Sequence, residues 1–464
     1  MNAKPPPAVL QRRCAQFIKH ALSHGILLTV LALWTAAGWL TAGQKDSQDP
    51  LARRLQAAMN GALSGSVGYA FVWKQDDAVL QQGASGWARA PWEEESASQP
   101  MAPQTRFHIA SISKTATAAA LLVALERNGR SPDDPIDEML GDDFSDFAPR
   151  SKQLTPKRVL NHTSGFDFSP ETLREPFREH LAELLQTGPP REPGGDPFRL
   201  RHAGTGTPPA DEDRAVYSNV NFWLARALLE DVTGLTYEQA VTELLLKPMG
   251  ISGWSLKPEP QPRPLGYSRW RPGQPGSNRS EEPLIRHMAG PAGWHTDILG
   301  LGAFATALAE GRGISPQVRD LMFRHHMGVQ SASTPAGKAY YHDGVWLDGG
   351  QTGFESGMVV FPNGVTAAAM VNTFGNWWIT QRLVNVYKSL LPTASQSQSG
   401  GRRVVELQGG DSASILYWTT DETLPLGEWT SYEGPIEVDS GTKVTFAALE
   451  DGRKAGFVNR LVVP

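Results

Sequence analysis

The chain has 464 residues, 40% of them apolar and 20% charged, with a net charge of −5. That composition is an ordinary globular one, able to bury a large core in two or three domains. The mild negative charge, with no basic stripe interleaved with aromatics, speaks against a nucleic-acid binder. Cys14 is the only cysteine, which excludes an intrachain disulfide, and the 11 histidines show no metal-ligand spacing. No metal or cofactor is called for.

Residues 1–24 carry Lys4, Arg12, Arg13 and Lys19 and no acid, and no charged residue occurs from Ala21 to Gln44. A run of that length behind a basic flank predicts an N-terminal signal anchor over 1–45, with the membrane span at about 25–43. The expectation is a single-pass protein whose remaining domains face outward, periplasmic or extracellular. Cleavage after Ala37 or Ala42 is the alternative, giving a secreted protein.

A helix is expected from Leu51 to Leu63, then a hairpin from Val67–Trp73 and Ala78–Gln82. Phe107 to Glu126 reads as one buried helix ending at Asn128-Gly129. It contains Ser111-Ile-Ser-Lys114, and helix spacing puts residues three apart on one face. A serine needs a nearby base to become a nucleophile, and a buried lysine can be that base or support one. The tetrad alone is weak evidence, because Ser440-Gly-Thr-Lys443 repeats it in a turn-like stretch.

Residues 186–215, rich in Pro, Gly, Arg and Asp, predict a long loop that could wall a pocket. A helix should follow Tyr217-Ser-Asn219 and end at Gly234. Thr236 with Gln239 forms a capping box for the next helix, to Leu246. Residues 256–290 look irregular, and Gly293–Glu310 helical. Near the end, Gly357–Pro362 and Val365–Asn372 flank Asn363-Gly364, a hairpin signal, before a helix from Trp377 to Leu391. Strands at both ends with helices between predict an α+β domain whose early and late strands share one antiparallel sheet. Residues 392–402 read as a flexible linker, and 403–464 as a small β-sandwich-like domain.

Taken together, Phe-His-Ile-Ala-Ser111-Ile-Ser-Lys114, Asn-His-Thr-Ser-Gly165, Tyr217-Ser-Asn219, Leu-Lys-Pro-Met-Gly250, Ala-Gly-Trp-His-Thr-Asp297 and Gly353-Phe-Glu-Ser356 resemble the serine β-lactamase and penicillin-binding-protein superfamily, in its class C-like branch. The resemblance covers residues 53–391. Tyr-x-Asn occurs once among the nine tyrosines. The resemblance implies a β-lactamase/transpeptidase-like fold and an acyl-enzyme on Ser111. It implies Lys114 beside Tyr217, with Tyr217 as general base, and Asn219 bonding the substrate's amide or carbonyl. His162 is expected to fix its loop rather than to exchange protons.

The third box of that pattern, Lys-Thr-Gly or His-x-Gly, departs here. Ungapped counting gives Leu347-Asp348-Gly349; five residues earlier stands His342-Asp343-Gly344. With the latter, His342 and Gly344 would bind substrate and favour a carboxylate; the former suits a neutral ester or amide. Residues 403–464 also resemble the chitobiase-type C-terminal β-domain, on Ile415–Asp421 and Tyr432–Ile436. The expected partners are a small-molecule, peptide or ester substrate, the membrane, and peptidoglycan or another glycan on Trp418, Trp429 and Tyr432, unless those rings serve packing. An envelope binding protein with little catalysis is the competing function.

Overall fold

The computed structural model describes residues 49–93, 98–142, 144, 154–166, 177–187, 215–257, 262–279, 281–348, 351–399 and 401–464. Among these, no helix is long and apolar enough to cross a membrane. The single-pass membrane placement is corrected accordingly; the run on which it rested, 25–43, lies outside the described residues, as does nearly all of the expected loop 186–215.

Helix α1 (Pro50–Leu63) opens at Asp49, whose carboxylate accepts the Leu51 and Ala52 N–H groups. Strands β1 (Gly68–Gln75) and β2 (Ala78–Arg89) form the early hairpin, with the short β3 (Gln99–Pro100) beyond it. After β4 (Phe107–His108) comes α2 (Ser113–Arg127), buried along its length from Ser113 to Leu125. A helix apolar all round must sit inside the domain. The helical layer adds α3 (Pro156–Leu160), α4 (Phe177–Thr187), α5 (Asn219–Thr233) and α6 (Tyr237–Val241), the last opened by the Thr236–Gln239 capping box.

Next come β5 (Tyr267–Ser268), α7 (Glu282–His287), β6 (His295–Thr296), α8 (Ile298–Glu310) and α9 (Pro316–Arg324). The helix expected from Gly293 starts only at Ile298, because Asp297 caps it through the Gly300 N–H and His295–Thr296 pairs with β4. Strands β7 (Gln330–Thr334), β8 (Gly337–Leu347), β9 (Gly353–Val360), β10 (Val365–Val371) and β11 (Thr373–Phe374) precede α10 (Ile379–Leu390).

The main sheet runs β11-β5-β9-β10-β1-β2-β3, with β8 also paired to β9 and β7 to β8. Early and late strands meet as the sequence predicts: β1 lies antiparallel to β10 from Tyr69↔Val371 to Gln75↔Val365. Side chains alternate across a strand. Ala70 and Val72 therefore join the core under α2 and α8, whereas Tyr69, Phe71 and Trp73 join the core under α1 and α10. A sheet covered on both faces buries its central strands completely, and every residue of β9 and β10 is buried, Glu355, Ser356 and Thr366 included.

The C-terminal residues form two small sheets. One contains β12 (Thr393–Ser399), β13 (Arg402–Gln408) and, after β14 (Ile415–Thr419) and β15 (Thr430–Ser431), β16 (Ile436–Val438). In the other, β17 (Lys443–Glu450) pairs with β14, β18 (Arg453–Lys454) and β19 (Asn459–Val462). The stretch expected to be a linker is thus mostly strand. Its Ser/Gln composition says nothing against backbone pairing, which here runs unbroken from Thr393↔Gln408 to Ser399↔Arg402. The module is packed onto the larger domain: the Phe457 ring lies 5.5 Å from Trp73 and 5.0 Å from Tyr387, and its N–H donates to the Leu390 carbonyl.

Candidate active site

Ser111 does not sit in a continuous helix. The chain leaves β4, passes through Ala110 at φ +49°, and makes a tight turn over Ala110–Ile112 before α2 begins. The expected single helix from Phe107 fails because Phe107–His108 is held by His295–Thr296, and Ile109 N–H donates to the Trp294 carbonyl. The serine consequently stands at the head of α2, beside the positive end of that helix's dipole.

One turn on, Lys114 is fully buried. Its Nζ lies 3.0 Å from Ser111 Oγ and 2.9 Å from the Pro291 carbonyl. Burial among apolar groups pushes its pKa well below the ordinary lysine value. The Tyr217 hydroxyl lies 2.7 Å from Ser111 Oγ, and the Lys114 Nζ is 4.8 Å from the Tyr217 ring centre. Burial raises the phenol to about 12, opposed by its bond to Ser111 and assisted by the negative charge of Asp343. Two groups, one from the next turn and one 106 residues further along the chain, therefore converge on one oxygen.

Tyr217 is oriented from behind by His162, whose ring lies tilted against it, 4.6 Å from centre to centre. His162 Nδ1 accepts the Ser218 N–H at 3.3 Å and lies 3.1 Å from Asn221 Nδ2. Accepting at Nδ1 leaves the proton on Nε2. Burial, with Lys114 and His342 nearby, holds its pKa well below the usual histidine value. It is a neutral prop. Asn219 is the first residue of α5 and half-buried. The cap of that helix is Ser218, whose Oγ accepts the Val220 N–H, so Asn219 does not serve as the cap.

Opposite the serine runs β8. β7 begins at Gln330, opposite Tyr341, so from His342 onward no strand among the described residues lies beside that edge of β8. The Ser111 turn lies there instead: a Cβ on Gly344 would stand 2.3 Å from the Ile109 carbonyl oxygen and 3.2 Å from Ala110 Cβ. His342 is buried, with Nδ1 2.7 Å from the Asp343 carbonyl. Of the two possible third boxes, His342-Asp343-Gly344 is the one beside Ser111; Leu347 is 54% exposed at the strand end, and Asp348 turns inward to accept the Trp346 Nε1–H.

Two supports have no sequence signal of their own. The Pro291 carbonyl that receives Lys114 is a backbone atom. Asp343 accepts from Thr380 N and Oγ1 at 3.2 and 2.6 Å, tying β8 to the start of α10, a pairing invisible without the fold. Among the described residues no group of three His, Cys, Asp or Glu side chains is placed to hold a metal ion.

Comparison with known proteins gives the same frame. Monacolin J acid methylbutanoyltransferase of Aspergillus terreus is 26% identical over 249 residues, 48% of this chain. The chain spans 58% of that relative's length. A D-stereospecific amidohydrolase from Streptomyces sp. superposes with a TM-score of 0.52 at 22% identity, over 72% of this chain and 97% of its own. The class C beta-lactamase from Rhodobacter sphaeroides gives 0.54 at 14%, over 72% and 98%. These two show the fold. The Beta-lactamase family model matches residues 51–379, a span holding the sheet, the helical layer and every group around Ser111, and the chain belongs to that family.

Proposed function

We propose that the protein is a serine hydrolase that cleaves an amide or ester bond through an acyl-enzyme on Ser111. The observation that carries this reading is the convergence of Lys114 Nζ and Tyr217 OH on Ser111 Oγ, at 3.0 and 2.7 Å. Burial disfavours a lone charge on either partner, so the pair exchanges protons as one unit. Ser111 gives its proton to that pair as Oγ attacks the carbonyl carbon. The pair returns the proton to the leaving amine or alcohol. Water then attacks the acyl-enzyme, its proton passes to the pair, and Ser111 is regenerated as the acid leaves. The N–H of Ser111 and a backbone N–H on the open edge of β8 are the proposed donors to the oxyanion, each worth about 3–4 kcal/mol of transition-state stabilisation. Asn219, His342 and Gly344 are the proposed substrate contacts.

The names of the relatives favour amide hydrolysis, with acyl transfer as a neighbouring chemistry. The test is labelling by a fluorophosphonate and by a fluorescent penicillin, in wild type and Ser111→Ala. Ser111-dependent labelling by the fluorophosphonate is expected; no Ser111-dependent labelling by either reagent refutes the hydrolase and leaves the binding-protein reading. Residues 393–464 are proposed as an accessory module of the chitobiase type. Trp418 and Tyr432 pack on its inner core and Trp429 on its second cluster, which favours packing over sugar stacking.

A further inference from the structure

The mechanism leaves unused a buried histidine pair directly beneath the nucleophile. His108 and His295 are each 2% exposed, and their rings meet edge to face at 4.8 Å. The other side of His108 lies 3.8 Å from the Trp346 ring of β8. His108 Nδ1 accepts the Ala110 N–H at 2.9 Å. His295 Nδ1 lies 3.0 Å from the Gly293 carbonyl, which can only accept. His108 is therefore neutral, with its proton on Nε2; His295 carries a proton on Nδ1, and burial, which lowers its pKa to about 4, keeps that ring neutral as well.

The location gives the pair its meaning. Ala110 is a non-glycine residue at φ +49°, immediately before Ser111. Such a conformation persists only where its surroundings impose it. A side-chain acceptor at i bonding the N–H at i+2 is the device by which asparagine and aspartate fix tight turns. Nδ1 of histidine stands the same number of bonds from the backbone as Oδ1 of asparagine. His295, across the β4–β6 pair, belongs to the segment that also holds the other end of the site: Pro291 receives Lys114, and Trp294 N–H reaches Ser113 Oγ at 3.4 Å.

We propose that His108 is a positioning residue for Ser111: its Nδ1 lone pair, with the ring wedged between Trp346 and His295, holds Ala110 in the turn that points Oγ at Lys114 and Tyr217. This rests on Ser111 as the nucleophile. It assigns His108 no contact with substrate and no proton transfer.

The experiment compares wild type, Ser111→Ala, His108→Phe and His108→Asn. Each is assayed for kcat and KM on p-nitrophenyl acetate and for the rate of fluorophosphonate labelling. Phenylalanine keeps an aromatic ring on Trp346 but has no acceptor; asparagine restores the acceptor and loses the ring. The expected result is a fall of about 30-fold or more in kcat and labelling rate for His108→Phe, with KM within about threefold, since small displacements of a nucleophile cost rates of this order. His108→Asn is expected to stay within about fivefold of wild type in both rates, since its Oδ1 supplies the same bond, although its thermal midpoint falls. A ring with a purely structural role predicts the reverse order. His108→Phe equal to wild type, or His108→Asn as slow as His108→Phe, overturns the inference. If the Phe variant does not fold, the Asn variant decides: a large loss of kcat at unchanged KM overturns it. Turnover and labelling that survive Ser111→Ala overturn the nucleophile itself, an outcome distinct from Ser111-dependent rates that ignore His108.

Discussion

Gly344 of β8 lies so close to Ile109 that an added Cβ would meet the Ile109 carbonyl oxygen at 2.3 Å and the Ser356 Oγ at 2.4 Å. Ser356 Oγ itself donates to that carbonyl, at 3.1 Å, so neither neighbour is free to retreat. Gly344→Ala forces β8 away from the Ser111 turn. Overpacking of this kind costs about 1–3 kcal/mol of stability, which leaves the fold intact. The greater effect is on rate: displacing the strand by about 1 Å is expected to lower kcat by about 100-fold. Unchanged circular dichroism with a collapse of kcat is the signature; a variant with wild-type kcat removes β8 from the site.

Tyr217→Phe tests the shared proton. The ring keeps its contact with His162, 4.6 Å away, while the hydroxyl 2.7 Å from Ser111 is lost. Loss of a general base lowers kcat by about 10²–10⁴-fold. Because burial lowers the Lys114 pKa, the base form appears as pH rises, and kcat/KM should climb and level off well below the ordinary lysine range. Tyr217→Phe lowers the plateau. Lys114→Arg, which stays protonated, abolishes the climb. A pH profile in Lys114→Arg that matches wild type rules lysine out of the base unit.

Asp343 gives a pH dependence of stability with a definite sign. Burial raises its pKa from 3.8 to about 6, against the two hydrogen bonds from Thr380. The folded state then holds a proton that the unfolded state has released between those values. Stability is therefore greatest below pH 4 for this group and is lost as pH rises through 6. A shift of about two units corresponds to at most about 3 kcal/mol. Asp343→Asn removes the charge: its Oδ1 still accepts the Thr380 N–H, and its Nδ2 donates to the Thr380 hydroxyl, which turns to accept. Urea unfolding at pH 4 and pH 7 should show the variant gaining on wild type only at the higher pH. An equal difference at both values means that the carboxylate is not strained.

How much of this was legible in the sequence follows from what each feature depends on. The paired hairpins around Trp73 and Asn363-Gly364, the capping box at Thr236 and the Gly234 terminus depend on local pattern, and they stand where that pattern puts them. The start of the Ser111 helix is hidden in the sequence because Phe107–Glu126 contains no glycine or proline to mark a break, and such a run does not distinguish a core helix from a strand, a strained turn and a helix in succession. The third box was ambiguous for another reason. Residues 342–348 offer Gly or Asp at both spacings, and only the pairing Gly344↔Ser356, which places the strand against Ile109, separates them. The strand at Thr393–Ser399 was missed because its partner, not its composition, makes it one.

The attachment of the C-terminal module separates apolar from ionic contacts. Arg53 and Arg54 of α1 reach Glu450 at 2.6 and 2.8 Å, the first pair exposed and the second part-buried at the rim, where pairs are screened and entropically costly. Phe457 is 1% exposed and lies against both Trp73 of β1 and Tyr387 of α10. Truncating a buried phenylalanine costs about 3–5 kcal/mol through lost burial and the cavity left behind. Phe457→Ala should therefore lower the denaturation midpoint strongly, and because Phe457 belongs to the larger domain's own core, the loss should appear in the transition followed by Ser111 labelling as well as in that of the module. Glu450→Ala should barely move either transition, at low or high salt. If Glu450→Ala proves the more damaging of the two, the module is held by its charges, and the shared aromatic core around Phe457 is incidental.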